Sequence, residues 1–176
     1  MNITVFCSSA SIAGDPAYIE AVRLGQLIAA AGHTVLTGGY IGSMEAVSRG
    51  AAEAGGRVVG VTCDEIEVWR PVKANPWVQE ERRFATMRQR LFALIDGCDA
   101  ALALPGGIGT LAEVSMMWSN MQTGVIGARP LVLIGPGWRE AIGTLWRVFD
   151  QHVPVRHRAL LTFAGNVEDA ISFINS

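Results

Sequence analysis

Short apolar runs alternate with helical stretches along the whole chain, and that alternation leaves few architectures open. Strands are expected at Ile3–Phe6, Thr34–Thr37, Arg57–Thr62, Trp77–Gln79, Ala100–Leu104, Leu131–Ile134 and Leu161–Phe163. Several of these runs are continuously apolar, the pattern of parallel strands covered on both faces. Asp15-Pro16 predicts an N-cap followed by proline at the first helical position. Leu24, Leu27, Ile28 and Ala31 continue at helical spacing until Gly32. A second helix is expected from about Ser43 to Ala54, and a third with Phe84, Met87, Leu91, Leu94 and Ile95 on one face. Others follow at roughly Gly109–Met121, Trp138–Asp150 and Val167–Ile174. The order predicts one α/β domain over residues 1–176, a doubly wound, mostly parallel sheet with helices on both faces. The most loop-like stretch, Pro71–Pro76, is too short to divide it.

Composition removes several function classes. Half the residues are hydrophobic and 17% charged, ample for a core and unlike a disordered chain. A net charge of −2 gives no general pull toward nucleic acid or an anionic membrane. The apolar runs are too short to span a bilayer, and no charged n-region precedes Ile3, so a cytoplasmic protein is expected. Cys7, Cys63 and Cys98 fit no disulfide or zinc spacing, and His33, His152 and His157 form no ligand cluster, so no metal is expected. Of the 14 basic residues only Lys73 is a lysine. It follows no glycine loop and precedes no Ser or Thr, which excludes a Walker loop. Its proline-flanked setting makes it a poor pyridoxal-phosphate anchor.

The 20 glycines are informative through their placement. Three strand exits carry small residues: Cys7–Ser11, Gly38–Ser43 and Pro105–Thr110. In a parallel sheet these share one edge, where ligands bind. Glycine permits close backbone approach, and each following helix presents free N–H groups, so the edge is suited to a phosphate. One such loop alone would read as a tight turn; two on one edge favour the anion. The remaining glycines read as turns and helix stops. Gly107-Ile108-Gly109-Thr110-Leu111-Ala112 also satisfies a dinucleotide fingerprint. It follows a late strand, however, and no acidic residue lies between Glu113 and Glu140 to take the ribose.

Glu113 stands one helical turn beyond Gly109, on the face of the loop, where a carboxylate can reach the sugar attached to a bound phosphate. Thr110–Glu113 also reads as a capping box, and spacing does not decide between the two. Arg82, Arg83, Arg88 and Arg90 are expected in or just before the third helix, Arg83 and Arg90 on one flank of its apolar face. They serve either as a solvated flank or as phosphate ligands.

Pro105-Gly106-Gly107-Ile108-Gly109-Thr110-Leu111-Ala112-Glu113 reads as PGGxGTxxE and resembles the signature of the LOG (lonely guy) family, long labelled lysine decarboxylases. Phe6-Cys7-Ser8-Ser9 resembles the family's first-strand motif, and Gly38-Gly39 with Gly42-Ser43-Met44 its second glycine loop. The resemblance implies a Rossmann-like fold and a phosphoribohydrolase, which cleaves the N-glycosidic bond of a nucleoside 5′-monophosphate. Cytokinin riboside monophosphates and AMP are the substrates it suggests, with no cofactor and a homodimeric state. It assigns Arg90 and Glu113 as catalytic. Gly106, Gly107, Gly109 and Thr110 would hold the phosphate, with Gly38, Gly39, Ser9 and Met87 completing the pocket. Phe92, Met116, Met117 and Trp118 are candidate interface residues. The second loop departs from the family in length and in Tyr40 and Glu45, which stand where it has glycines. Glu45 would place negative charge there. The second reading is a non-catalytic carrier of a phosphorylated nucleotide or of a molybdenum-cofactor-like pterin, for which the Arg90/Glu113 pair is dispensable.

Overall fold

The computed structural model describes residues 1–175, the last by its backbone alone. The elements are β1 (Asn2–Phe6), α1 (Pro16–Ala30), β2 (Thr34–Thr37), α2 (Ser43–Glu53), β3 (Val58–Cys63), α3 (Asp64–Trp69), β4 (Glu80–Phe84) and α4 (Met87–Asp96). They continue with β5 (Ala100–Ala103), α5 (Ile108–Thr123), β6 (Leu131–Ile134), α6 (Pro136–Val148), α7 (Val155–Arg158), β7 (Thr162–Ala164) and α8 (Val167–Asn175). The strands form one sheet in the order β4-β3-β2-β1-β5-β6-β7, every pairing parallel. The chain winds outward from β1 to the β4 edge, returns through α4, and winds outward again from β5.

Two apolar layers cover the sheet, as the continuous strands require. Tyr18, Leu24 and Ile28 of α1, Val47 and Ala51 of α2, and Val167, Ala170 and Ile174 of α8 pack on one face. Leu94 and Ile95 of α4, Val114, Met117 and Trp118 of α5, and Trp138 and Ile142 of α6 pack on the other. No helix of the described residues is long and apolar enough to cross a membrane.

Three expectations are corrected. The strand expected at Trp77–Gln79 is β4 at Glu80–Phe84, so Arg82, Arg83 and Phe84 belong to a strand and not to the third helix. That strand reads Glu-Glu-Arg-Arg-Phe because it is the sheet edge, paired on one side only and solvated. Helix α4 begins at Met87, where Thr86 and Gln89 form a capping box. Helix α5 begins at Ile108 with Gly107 as its N-cap and no side-chain cap. Thr110 and Glu113 are therefore inside the helix, and the capping-box reading of that pair is wrong. The short helices α3 and α7 have no strong apolar period to announce them.

Candidate functional site

Winding reverses between β1 and β5, and in open parallel sheets ligands bind outside the carboxyl ends of strands at such a point. The exits of β1, β2 and β5 all open there. Gly42 joins the first two. Its φ of 75° lies in the region that favours glycine, and a Cβ on it would stand 2.6 Å from the backbone of Ser9. The Ser43 N–H donates to the Ser8 carbonyl at 2.9 Å, and the hydroxyls of Ser11 and Ser43 are 2.8 Å apart.

Helix α4 starts at this same edge and runs back over the sheet, which places Arg90, in its first turn, at the switch point. Arg90 is buried, with 8% of its surface exposed. Its Nε donates to the Val61 carbonyl of β3 at 2.7 Å, and its guanidinium lies 5.7 Å from the Tyr40 ring. Gly38 makes room for it. A Cβ at Gly38 would be 1.8 Å from Arg90 Nη2 and 2.6 Å from Met44 Sδ. Arg90 Nη1 faces Glu113 Oε1 of α5 at 3.7 Å, a charge pair wider than a direct hydrogen bond.

Glu113 is 15% exposed at its side chain. Burial pushes its carboxyl from 4.5 up to about 7, and the opposing pull of Arg90 only partly offsets this. The same two charges reach Cys7 at the end of β1. Burial and then Glu113 push the Cys7 thiol up while Arg90 lowers it, so the thiol stays protonated. Three exits thus converge on one buried arginine–carboxylate pair whose acid titrates near neutrality.

The other expected residues fall around this pair with unequal engagement. Gly106 lies under Thr110, whose Oγ1 would be 2.1 Å from a Cβ at that position, and Thr110 is buried. Gly107 and Gly109 face open space, with no heavy atom within 4 Å of where a Cβ would be. The fold therefore does not itself need glycine at those two positions. Ser9 Oγ accepts from Arg70 Nη1 at 3.4 Å. Gly39 turns the chain, its carbonyl held by Asn75. Met87 is 56% exposed at the start of α4, its N–H donated to Glu65 Oε2 at 2.8 Å. Arg83 does not share a flank with Arg90. It is bound by Asp64 and Glu67 of α3. Glu45 accepts from Tyr18 Oη of α1 at 3.4 Å, so its charge is engaged on that helix. Of the candidate interface residues, Met117 and Trp118 are buried in the core of the chain itself, while Met116 and Phe92 are half-buried.

Asn75 and Tyr40 complete the second loop. Asn75 Nδ2 donates to the carbonyls of Gly39 and Tyr40 at 3.0 and 2.9 Å, and the Asn75 N–H donates to Gly39 O at 2.8 Å. The Tyr40 hydroxyl donates to Cys63 O at 3.0 Å and accepts from Cys63 N–H at 2.8 Å. Tyr40, which stands where the resembled family has glycine, is thus a fixed wall for Arg90. Sequence reasoning missed Asn75 and Arg70. Only the Asn75-Pro76 turn signal pointed to the first, and no local motif pointed to the second. A cavity of about 390 Å³, lined by Pro105, Ile108, Leu111, Trp138 and Ala141, touches the third loop on its α6 side. Neither Arg90 nor Glu113 lines it.

Fold and site together define a doubly wound α/β protein with an arginine–carboxylate pair at its switch point. The family model described as "Possible lysine decarboxylase" matches residues 44–174, and the chain belongs to this family, the LOG family. A cytokinin riboside 5′-monophosphate phosphoribohydrolase of Mycobacterium tuberculosis is 33% identical over 142 residues, covering 77% of this chain and 71% of that protein. A rice protein named "Probable cytokinin riboside 5′-monophosphate phosphoribohydrolase LOGL9" is 32% identical over 167 residues, covering 93% and 72%. Among solved structures, the molybdenum cofactor binding protein of Rippkaea orientalis superposes with a TM-score of 0.75 at 25% identity, covering 99% of this chain and 94% of that one.

Proposed function

We propose that the chain hydrolyses the N-glycosidic bond of a nucleoside 5′-monophosphate, with AMP and cytokinin riboside monophosphates as reference substrates. Water adds its hydroxyl to C1′ and a proton goes to the departing base nitrogen, which leaves ribose 5-phosphate and free base. The observation that carries this reading is the buried Arg90–Glu113 pair at the meeting point of three glycine- and serine-rich exits. The N-terminus of α5, with Gly106, Gly107, Gly109 and Thr110, supplies N–H groups and open space for the phosphate. Gly38, Gly39 and Ser9 shape the opposite wall, with Met87 at the rim. Bond cleavage passes through an oxocarbenium-like state, and the ionised Glu113 stabilises that charge or activates the water. Arg90 holds the carboxylate in place and meets the ribose or phosphate. The site is assembled from one unit of residues 1–176 that works without a cofactor, and the active form is a homodimer.

Similarity to the phosphoribohydrolases supports the reaction, and likeness to a molybdenum cofactor binding protein supports a second reading, a carrier that holds a phosphorylated nucleotide or pterin without cleaving it. One assay separates them. The purified chain is incubated with a panel of nucleoside monophosphates, and free base and ribose 5-phosphate are quantified. Hydrolysis is expected, and E113Q should lower it by at least about a hundredfold while nucleotide affinity changes little. Undiminished turnover in E113Q would overturn the catalytic role of Glu113. Retention of a nucleotide or pterin without release of base would establish the carrier.

A further inference from the structure

Arg70 follows α3 and reaches the exit of β1, where its Nη1 donates to Ser9 Oγ at 3.4 Å. No carboxylate pairs with it among the described residues. Of the three acids of its own helix, Asp64 and Glu67 are taken by Arg83 and Lys73, and Glu65 accepts the Met87 N–H. Arg70 Nε is buried without an acceptor among the described residues. The guanidinium lies 5.4 Å from the ring of Trp69, which is itself 77% exposed. A half-buried arginine with spare donors, beside an exposed indole at the rim of a ligand crevice, is a poor arrangement for stability alone.

The direction of the crevice says what these donors meet. Arg90 is fixed to Val61 of β3, lies on Gly38 at the exit of β2 and faces Glu113 of α5, so it spans the floor from the β3 side to the β5 side. With phosphate at the start of α5 and C1′ over Arg90–Glu113, the base extends away from β5 over the exits of β1 and β2, which meet at Ser9 and Gly42; Arg70 reaches that point through Ser9, with Trp69 beside it. This step rests on the reading proposed above. A guanidinium carries only donors. It matches the O6 and N7 acceptors of a 6-oxopurine, whereas adenine places an amino donor beside N7. An exposed indole offers a face on which any purine stacks.

We propose that Arg70, flanked by Trp69, reads the nucleobase and selects 6-oxopurine nucleotides, IMP and GMP, over AMP and its N6-substituted derivatives. The test measures binding of IMP, GMP and AMP to full-length E113Q by calorimetry, and their hydrolysis by the unmodified chain. IMP and GMP are expected to bind at least about tenfold more tightly than AMP, the size of one bidentate base contact. Added to E113Q, R70M should bring that ratio to near one and R70K should leave an intermediate value, because lysine keeps the charge and loses the fork. Equal affinity for IMP and AMP overturns the proposal. So does an R70M protein that weakens every nucleotide equally, as a merely structural arginine would. Selective IMP binding with no cleavage of any nucleotide keeps the base assignment and removes the hydrolase; cleavage without 6-oxopurine preference does the reverse.

Discussion

At the scale of single residues, Glu113 and Gly38 give the sharpest expectations. The Glu113 carboxyl is raised to about 7, so between pH 4.5 and 7 the folded protein holds a proton that the unfolded chain has released. This group's contribution to stability therefore falls as pH rises through that window, by about 3 kcal/mol in all. Urea denaturation should show E113Q gaining stability relative to the parent at pH 8 and little at pH 4.5. An equal difference at both pH values would contradict the assignment. The same ionisation governs the proposed chemistry, so kcat/KM should rise with pH through about 7 if the carboxylate is the working form. Gly38 tests the arginine without touching its charge. A methyl group there would be 1.8 Å from Arg90 Nη2, so G38A must push the guanidinium off its seat. Because the displaced atoms end flexible side chains, we expect a loss of only about 1–3 kcal/mol in stability. Turnover should fall at least about a hundredfold, since misplacement by an ångström is costly to chemistry. A G38A protein of full activity would mean that the Arg90 position is unimportant.

At the scale of elements, the loop after β2 depends on a residue 36 positions away, Asn75. Replacing Asn75 by Ala leaves the buried carbonyls of Gly39 and Tyr40 without its side-chain amide, which should cost about 2–3 kcal/mol. Because Tyr40 is the wall under Arg90, N75A should also lower kcat more than it raises KM; thermal melts and steady-state kinetics check both. The exit loops are legible in the sequence, because continuous apolar strands mark the sheet and the nine-residue signature marks one loop; spacing leaves the roles of Arg90 and Glu113 open, and only the family resemblance singles them out. The β4 strand is not legible, since four of its five residues are charged and an edge strand solvated on most of its surface carries no apolar pattern. The start of α5 is obscured because Thr110-x-x-Glu113 imitates a cap, while Gly107 begins the helix with its backbone alone. Two glycines that read as turns, Gly25 and Gly50, are helix contacts. A Cβ on either would come within 2.1 Å of a carbonyl oxygen on the facing helix, α2 or α1. Arg70 is invisible for a different reason: its importance comes from the absence of a carboxylate partner, and only coordinates show that Asp64 and Glu67 are committed elsewhere.

At the scale of the whole molecule, the site exists only when both halves of the sheet are assembled. Ser9 follows β1, Gly38 follows β2, Val61 belongs to β3, Arg90 sits on the returning helix and Glu113 follows β5. No short segment holds enough of these groups to form the proposed nucleotide pocket, so a ligand of that pocket would recognise the folded chain and leave the unfolded one alone. Binding must then stabilise the entire structure by mass action, by about 2.7 kcal/mol at a hundred times Kd. For a chain of this length each kcal/mol raises Tm by about 2–4 °C, which gives a shift of roughly 5–10 °C. E113Q with IMP should show that shift in one cooperative transition, because the two apolar layers share the same central strands. Inosine, which lacks the phosphate, should shift Tm far less, since the α5 N-terminus then has no anion to hold. Two separate transitions, only one of them moved by IMP, would mean that the halves of the sheet fold independently and that the pocket belongs to one of them. An equal shift with inosine would take the phosphate away from the Gly106–Thr110 loop and leave that loop a turn.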